Sequence, residues 1–197
     1  LLILEGNTKH MRMLVSALTK RSTMAPRVKV ALLDVLEQVG RRNTVPLGKK
    51  ILSLRKFLSD KNDRVAAGTA RALGAWKAKD AGRPLVSILR DGRRAVEVRR
   101  AAAIALGGLR RPEYVKVLKQ LASNGDTESR YIATGGLAVA NLEEAAGHAA
   151  LLLQKDPGKA NPTALVTIFL QRNRGANYLQ KALAGVSLHP AVVRHVA

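Results

Sequence analysis

Apolar residues recur along this chain with the spacing of one face of an α-helix. In residues 98–111 they fall at positions i, i+3, i+4, i+7, i+8 and i+11, which are Val98, Ala101, Ala102, Ala105, Leu106 and Leu109. Because an α-helix turns once in about 3.6 residues, these positions form a single stripe along one side. The pattern predicts a helix that buries this stripe against neighbouring elements.

The same stripe occurs three more times, at separations of 31 to 37 residues. The copies are Val28, Ala31, Leu32, Val35, Leu36 and Val39; Val65, Gly68, Thr69, Ala72, Leu73 and Trp76; and Ser129, Ile132, Ala133, Gly136, Leu137 and Ala140. Repetition at this period is typical of a helical solenoid, in which one unit cannot bury its apolar face alone and stacks on the next. It predicts equivalent surroundings for Val28, Val65, Val98 and Ser129.

A shorter amphipathic stretch precedes each stripe, which indicates pairs of helices. Prolines stand near several of the expected helix starts, at positions where a helix tolerates them, and no alternating strand pattern competes. We predict an all-α, right-handed solenoid of five to six helix pairs in one array over 1–197. The pairs lie near 8–40, 47–78, 83–110, 112–140, 142–173 and 175–197. The opening without Met suggests a fragment of a longer protein.

Composition narrows the chemistry further. Apolar residues make up 47% of the chain and aromatic residues 3%, so the core must consist of Ala, Leu and Val. Cysteine is absent, which excludes disulfides, thiolate catalysis and covalent haem attachment within these residues. No apolar run reaches the roughly 18 residues that cross a bilayer. We therefore expect a soluble protein without a membrane span, whose compartment the sequence leaves open.

The chain is strongly basic, with 34 Lys and Arg against 14 Asp and Glu and a formal net charge of +20. Such an excess attracts nucleic acid, acidic lipid surfaces or acidic proteins. Basic residues follow the second helices at equivalent places in three successive repeats, so we expect them to lie along one side. This basic edge comprises Arg41, Arg42, Lys77, Lys79, Arg110 and Arg111. It could follow a phosphate backbone, or it could be a solvated rim.

Two arginines at the heads of second helices have an acidic residue a few positions upstream. Arg99 follows Asp91, and Arg130 follows Asp126. We expect such pairs to form a structural ladder that sets the spacing of the repeats. Each exposed pair contributes only about 0 to 1 kcal/mol.

Catalytic patterns are weak. The histidines His10, His148, His189 and His195 are scattered, so their spacing predicts no metal site. Trp76 belongs to an apolar stripe, which favours the core over contact with a base, and the few aromatic residues offer no stacking platform for single strands. An enzyme of the DNA glycosylase kind would need an acidic residue and aromatics on a concave face. We predict no enzyme activity, cofactor or metal.

The segment Asp91 to Gly107 carries an acidic turn followed by V-R-x-A-A-x-x-A-L-G, and Asp63 to Gly74 and Asp126 to Ala138 are looser versions. These repeats resemble HEAT-like repeats of the phycobilin-lyase type. The resemblance implies stacked helix pairs. It says little about function, since such arrays include scaffolds, nucleic-acid binders and lyase subunits.

The segment 169–197, FLQRNRGANYLQKALAGVSLHPAVVRHVA, resembles the end of the HEAT-like region that precedes a c-type cytochrome domain in planctomycete-type secreted proteins. That resemblance implies a spacer in an electron-transfer protein and a periplasmic location. The sequence thus leaves three functions open. We expect a scaffold or spacer that binds a partner protein along its second helices, with polyanion binding through the basic edge and the electron-transfer spacer as alternatives.

Overall fold

The computed structural model describes residues 8–20, 24–42, 47–155, 162–190 and 192–193, and these residues form helices without any strand. The all-α prediction is confirmed. The α-helices are α1 Thr8–Lys20, α2 Pro26–Arg42, α3 Asp63–Ala75, α4 Gly82–Arg90, α5 Val96–Leu109, α6 Pro112–Asn124, α7 Thr127–Ala140, α8 Leu142–Lys155, α9 Pro162–Leu170 and α10 Gly175–Leu183. Two 3₁₀ helices span Gly48–Ser59 and Lys79–Ala81.

The chain packs as two compact units, Leu1–Leu109 and Arg110–Ala197. In the first unit the second helices α2, α3 and α5 lie side by side, and α1, the 3₁₀ helix and α4 pack as first helices beside them. In the second unit α6 pairs with α7, α7 contacts α8 and α9, and α10 packs on α8. Helices therefore pair inside each unit as expected. One array across both units stays a prediction.

Side chains at the helix starts satisfy backbone groups that a helix leaves open. The Asn62 side chain accepts hydrogen bonds from the N–H groups of Arg64 and Val65, at 3.1 and 3.3 Å. Asp126 accepts one from the N–H of Ser129 at 2.7 Å. Both are N-caps that fix where α3 and α7 begin.

The stripes of α3, α5 and α7 are buried almost throughout, but the stripe of α2 is not. Val65 and Val98 are fully buried and Ser129 is 6% exposed, whereas Val28 is 42% exposed. The prediction of equivalent surroundings is therefore wrong for Val28. The reason is position, since α3 has second helices on both sides while α2 has α3 on one side. Helix α2 buries only Leu36 and Val39 of the predicted stripe, and it buries Leu33 and Gly40 in addition.

Some predicted element bounds also differ. Helix α2 continues past Gly40 to Arg42. The first helix of the second pair is a 3₁₀ helix that begins at Gly48, where the backbone has a positive φ of 56°. Helix α4 begins at Gly82, two residues before Pro84. These shifts move helix ends and leave the pairing unchanged.

Small residues let the second helices of the first unit approach closely. A Cβ atom at Gly74 would lie 2.6 Å from the Cα of Ala105, so α3 and α5 touch through their backbones. A Cβ atom at Gly40 would lie 2.7 Å from the indole of Trp76. That indole donates its N–H to the Leu36 carbonyl at 2.7 Å. Small residues at these two positions thus allow close helix contact, beside a core that also buries large side chains such as Met11, Leu54 and Phe169.

Candidate partner-binding site

The two arginines of the predicted ladder have the same local role. Arg99 Nε donates to the Leu89 carbonyl at 3.3 Å, and Arg130 Nε donates to the Ala122 carbonyl at 3.2 Å. Each carbonyl lies in the last turn of the preceding first helix, where backbone oxygens have no partner within the helix. A cation there also compensates the negative end of the helix dipole. Each arginine therefore fastens a second helix to the first helix of its own pair.

The acidic members of the ladder make local bonds. Asp91 accepts a hydrogen bond from the N–H of Arg93 at 3.1 Å and from its Nε at 3.2 Å. These two bonds and the charge of Arg93 lower the pKa of Asp91 below its ordinary value. Asp126 is the N-cap of α7. The ladder of Asp91, Arg99, Asp126 and Arg130 as a spacing device stays a prediction.

Two more basic side chains in the first unit donate hydrogen bonds to carbonyls at the C-terminal ends of helices. Lys56 Nζ donates to the Thr19 carbonyl at 2.6 Å, and an Arg94 amino group donates to the Leu58 carbonyl at 3.1 Å. Both bonds join one repeat to the preceding one at the C-terminal end of its first helix. Part of the basic excess therefore holds the fold and is less available to a partner.

The surface of α2, α3 and α5 in the first unit carries an ion-pair network. Arg71 on α3 lies 2.8 Å from Glu37 and 3.3 Å from Asp34, both on α2, and 3.9 Å from Glu97 on α5. Glu37 also pairs with Arg41 at 2.6 Å. Burial lowers the pKa of Arg71, but hydrogen bonds and attraction to Glu37 and Asp34 outweigh it, so the pKa is raised. The carboxylates of this surface are thus largely satisfied internally.

The residues of the predicted basic edge differ in their ion pairs and in their backbone conformation. Arg41 belongs to the Glu37 network, and Arg111 pairs with Glu113 at 2.6 Å. Lys77 and Arg110 occupy equivalent positions after α3 and α5, and both have a left-handed backbone, with φ of 51° and 49°. Arg110 and Arg111 belong to the second unit. The single edge through all six residues, including Arg42, stays a prediction.

Lys77 and Lys79 line a cavity of about 550 Å³ in the first unit, together with Lys49. We call this cavity the lysine pocket. Its remaining lining residues are Leu47, Gly48, Ile51, Leu52, Trp76, Ala78 and Asp80. All three lysines are exposed. None of them forms an ion pair with a residue in the described part of the chain.

The turn after α3 brings two of these lysines to the pocket. The Lys77 N–H donates to the Gly74 carbonyl and the Ala78 N–H to the Leu73 carbonyl, each at 3.0 Å. This pair of bonds is a Schellman motif, whose left-handed position is usually Gly and is Lys77 here. The motif reverses the chain, so that Lys77 and Lys79 border the same cavity as the start of the 3₁₀ helix.

Trp76 forms part of the pocket wall and is the single tryptophan of the chain. It is half-buried, and its ring is fixed by the bond to Leu36 and by contact with Gly40. From its place in an apolar stripe, Trp76 was predicted to lie in the core. Lys49 was not among the residues predicted to bind an anion. Lys49 lies 28 residues before Lys77, and no motif links the two positions.

Two further findings concern the described residues alone. No helix among them is long and apolar enough to cross a membrane. They contain no cluster of three or more His, Cys, Asp or Glu that could hold a metal ion. His195 lies outside the described residues.

Comparisons with known proteins agree with this architecture. Residues 51–138 match the family model for HEAT repeats. The structure of human deoxyhypusine hydroxylase in complex with glycerol is similar, with a TM-score of 0.56 and 18% sequence identity over 93% of this chain and 83% of that chain. At that identity the likeness shows the fold alone. No curated protein sequence gives a significant match. The HEAT-like resemblance is confirmed, and the cytochrome-linked one stays a prediction.

Proposed function

We propose that this chain, whose residues 51–138 match the family model for HEAT repeats, is a non-enzymatic scaffold that binds an acidic protein partner at the lysine pocket. The observation that carries the proposal is one cavity that combines apolar residues with three lysines that form no ion pair with a described residue. Interfaces between proteins place apolar contacts at their centre and charged groups at the rim. The lysine pocket combines the same two kinds of group on a small scale.

The charge distribution in the first unit supports this location. The carboxylates of Asp34, Glu37 and Glu97 contact Arg71 on the second-helix surface. Lys49, Lys77 and Lys79 lie elsewhere and keep their charge available. An acidic partner is therefore attracted to the pocket more strongly than to the second helices, where the sequence led us to expect it.

Nucleic acid is the second candidate, favoured by the same lysines. A phosphate backbone, however, has no apolar group to cover the half-buried Leu52 and Trp76. Trp76 is the one aromatic residue that lines the pocket, and its N–H is already bonded to Leu36. Single-strand binders instead use several aromatic rings on which successive bases stack. The pocket suits a protein surface better than a nucleic acid.

The test begins with a photo-crosslinking amino acid at Leu52, which is half-buried and lines the pocket. The captured protein is identified, purified and titrated against the chain by calorimetry. We expect an acidic protein whose affinity falls at least about tenfold when Lys49, Lys77 and Lys79 are replaced by Glu, since each reversal adds repulsion to the lost attraction.

Replacing Lys61, Lys116 and Lys181 by Glu provides the matched control, because these three lysines are exposed, lie outside the pocket and form no ion pair with a described residue. Equal losses in the pocket and control variants would contradict the proposal, because the attraction would then depend on net charge alone. Recovery of nucleic acid in place of protein, with the same loss on reversal of the pocket lysines, would favour the second candidate.

A further inference from the structure

We infer that the lysine pocket takes a short acidic segment of the partner and buries one bulky apolar side chain of that segment beside Trp76. This inference rests on the proposed function and specifies its ligand. The lining is of two kinds, the lysines Lys49, Lys77 and Lys79 and a set of apolar residues. A peptide that fits must offer carboxylates and an apolar group close together.

The size of the pocket agrees with such an occupant. Its volume of about 550 Å³ lies in the range of small-molecule sites, roughly 300 to 1,000 Å³. One large side chain with the flanking peptide backbone fills a space of this order. A bare anion such as phosphate would leave the half-buried Leu52 and Trp76 in contact with water.

The lysines come from two segments that both border the cavity. Lys49 lies at the start of the 3₁₀ helix, and Lys77 and Lys79 follow α3. Acidic residues on either side of one apolar residue could therefore each meet a lysine. The turn that carries Lys79 is held because an Arg55 amino group donates to the Asp80 carbonyl at 3.3 Å.

Asp80 restricts where a carboxylate of the ligand can lie in the pocket. Among the described residues it is the one acidic residue of the lining, and it is exposed. A carboxylate of the ligand must stay away from Asp80 while it approaches the lysines. Replacing Asp80 by Asn removes this repulsion, so we expect tighter binding of the acidic peptide, by about twofold to fivefold.

Trp76 supplies a direct readout, because it is the single tryptophan and lines the pocket. The probe is a short synthetic peptide of Asp and Glu with one central Phe, titrated into the full chain while Trp76 emission is recorded. The comparison peptide has Ser in place of Phe. We expect a saturable blue shift, since Phe displaces water from the indole, and an affinity about tenfold higher for the Phe peptide.

Variants separate a binding role from a structural one. Lys49→Ala and Lys79→Ala should each weaken the Phe peptide by about threefold to tenfold. Lys50→Ala is the control, because Lys50 is the exposed neighbour of Lys49 and does not line the pocket. Lys77→Gly should weaken binding and raise the melting temperature together, since Gly suits the left-handed backbone there. Loss of binding in this variant cannot come from unfolding.

Equal affinity for the Phe and Ser peptides would overturn the inference, as would an unchanged Trp76 spectrum with the Phe peptide. An identical emission shift with a single-stranded oligonucleotide of the same charge would assign the pocket to nucleic acid instead. If the purified crosslinked partner binds while neither peptide does, the scaffold role stands and the ligand class is wrong. If the partner also fails to bind, the proposed function fails as well.

Discussion

The two units join their second helices by different means. In the first unit α3 and α5 touch through their backbones, because a Cβ atom at Gly74 would lie 2.6 Å from the Ala105 Cα. In the second unit a Cβ atom at Gly135 on α7 would lie 2.8 Å from the Ile168 Cδ1 on α9, the end of a flexible side chain. A buried glycine of a second helix can therefore mark either a fixed backbone contact or a contact with a side chain that can move aside.

The largest expected effect comes from Gly74→Ala in the first unit. The added methyl group must push α3 and α5 apart, which costs more than the gain in helix propensity of about 1 kcal/mol. We expect a net loss of about 2 to 3 kcal/mol in the free energy of unfolding, measured by urea denaturation with circular dichroism. Gly147→Ala is the matched control, because Gly147 is a helical glycine of α8 with nothing within 4 Å of the added Cβ. A stable Gly74→Ala variant would refute the backbone contact.

The next effect concerns Arg71, which joins α2, α3 and α5 in the first unit. Arg71→Met keeps much of the side-chain volume and removes the contacts with Asp34, Glu37 and Glu97. We expect a loss of about 1 to 2 kcal/mol, since the network is partly exposed to solvent. In the same urea titration, high salt should reduce the difference in free energy of unfolding between the Arg71→Met variant and the unchanged protein. A salt-independent difference would instead indicate lost packing.

A gain in stability is expected where a residue other than Gly has a left-handed backbone. Lys77→Gly in the first unit and Arg174→Gly in the second relieve φ angles of 51° and 61°. Each should raise the free energy of unfolding by up to about 1 kcal/mol. Thermal melts of both variants test this, and a decrease in either would show that the side chain contributes contacts worth more than the backbone relief.

The two units also differ in the hydrogen bonding of a buried threonine. Thr69 in the first unit donates its hydroxyl to the Val65 carbonyl at 2.7 Å. Among the described residues, none accepts from or donates to the buried Thr134 hydroxyl in the second unit. Thr134→Val should therefore stabilise the protein by about 0.5 to 1 kcal/mol, while Thr69→Val should cost a similar amount. Differential scanning calorimetry of the two variants measures both changes in stability. A change of the same sign in both variants would contradict the prediction.

The smallest effect is expected for Gly135→Ala. Ile168 can change rotamer to admit the methyl group, and the helix gains about 1 kcal/mol of propensity. The two terms offset each other, so the free energy of unfolding should change by less than about 1 kcal/mol. A loss as large as that of Gly74→Ala would show that the second unit is packed as rigidly as the first.

Much of the fold could be predicted from the sequence because it depends on local periodicity. The stripes that begin at Val65, Val98 and Ser129 are buried as expected, and Asn62 and Asp126 cap the helices that carry them. The predicted burial of Val28 is wrong because α2 has another second helix on one side only. Burial along α2 therefore depends on which side has a neighbour. Periodicity shows that a helix has an apolar side, but the packing decides how far round the helix that side extends.

The candidate site could be predicted only in part. Register placed Lys77 and Lys79 among the basic residues after the second helices, and both line the pocket. Arg41 and Arg111 instead pair with Glu37 and Glu113, which are close in sequence. Lys49 could not be found, because its approach to the turn after α3 depends on the 3₁₀ helix and the Schellman motif.

The arginine and lysine side chains that end on helix carbonyls have a consequence for engineering. Lys56, Arg94, Arg99 and Arg130 each complete the hydrogen bonding of a neighbouring helix terminus. A redesign toward a neutral isoelectric point that exchanged these four for glutamate would open four helix termini at once. An acidic counterpart of this protein would need glycine turns or amide side chains at those termini instead.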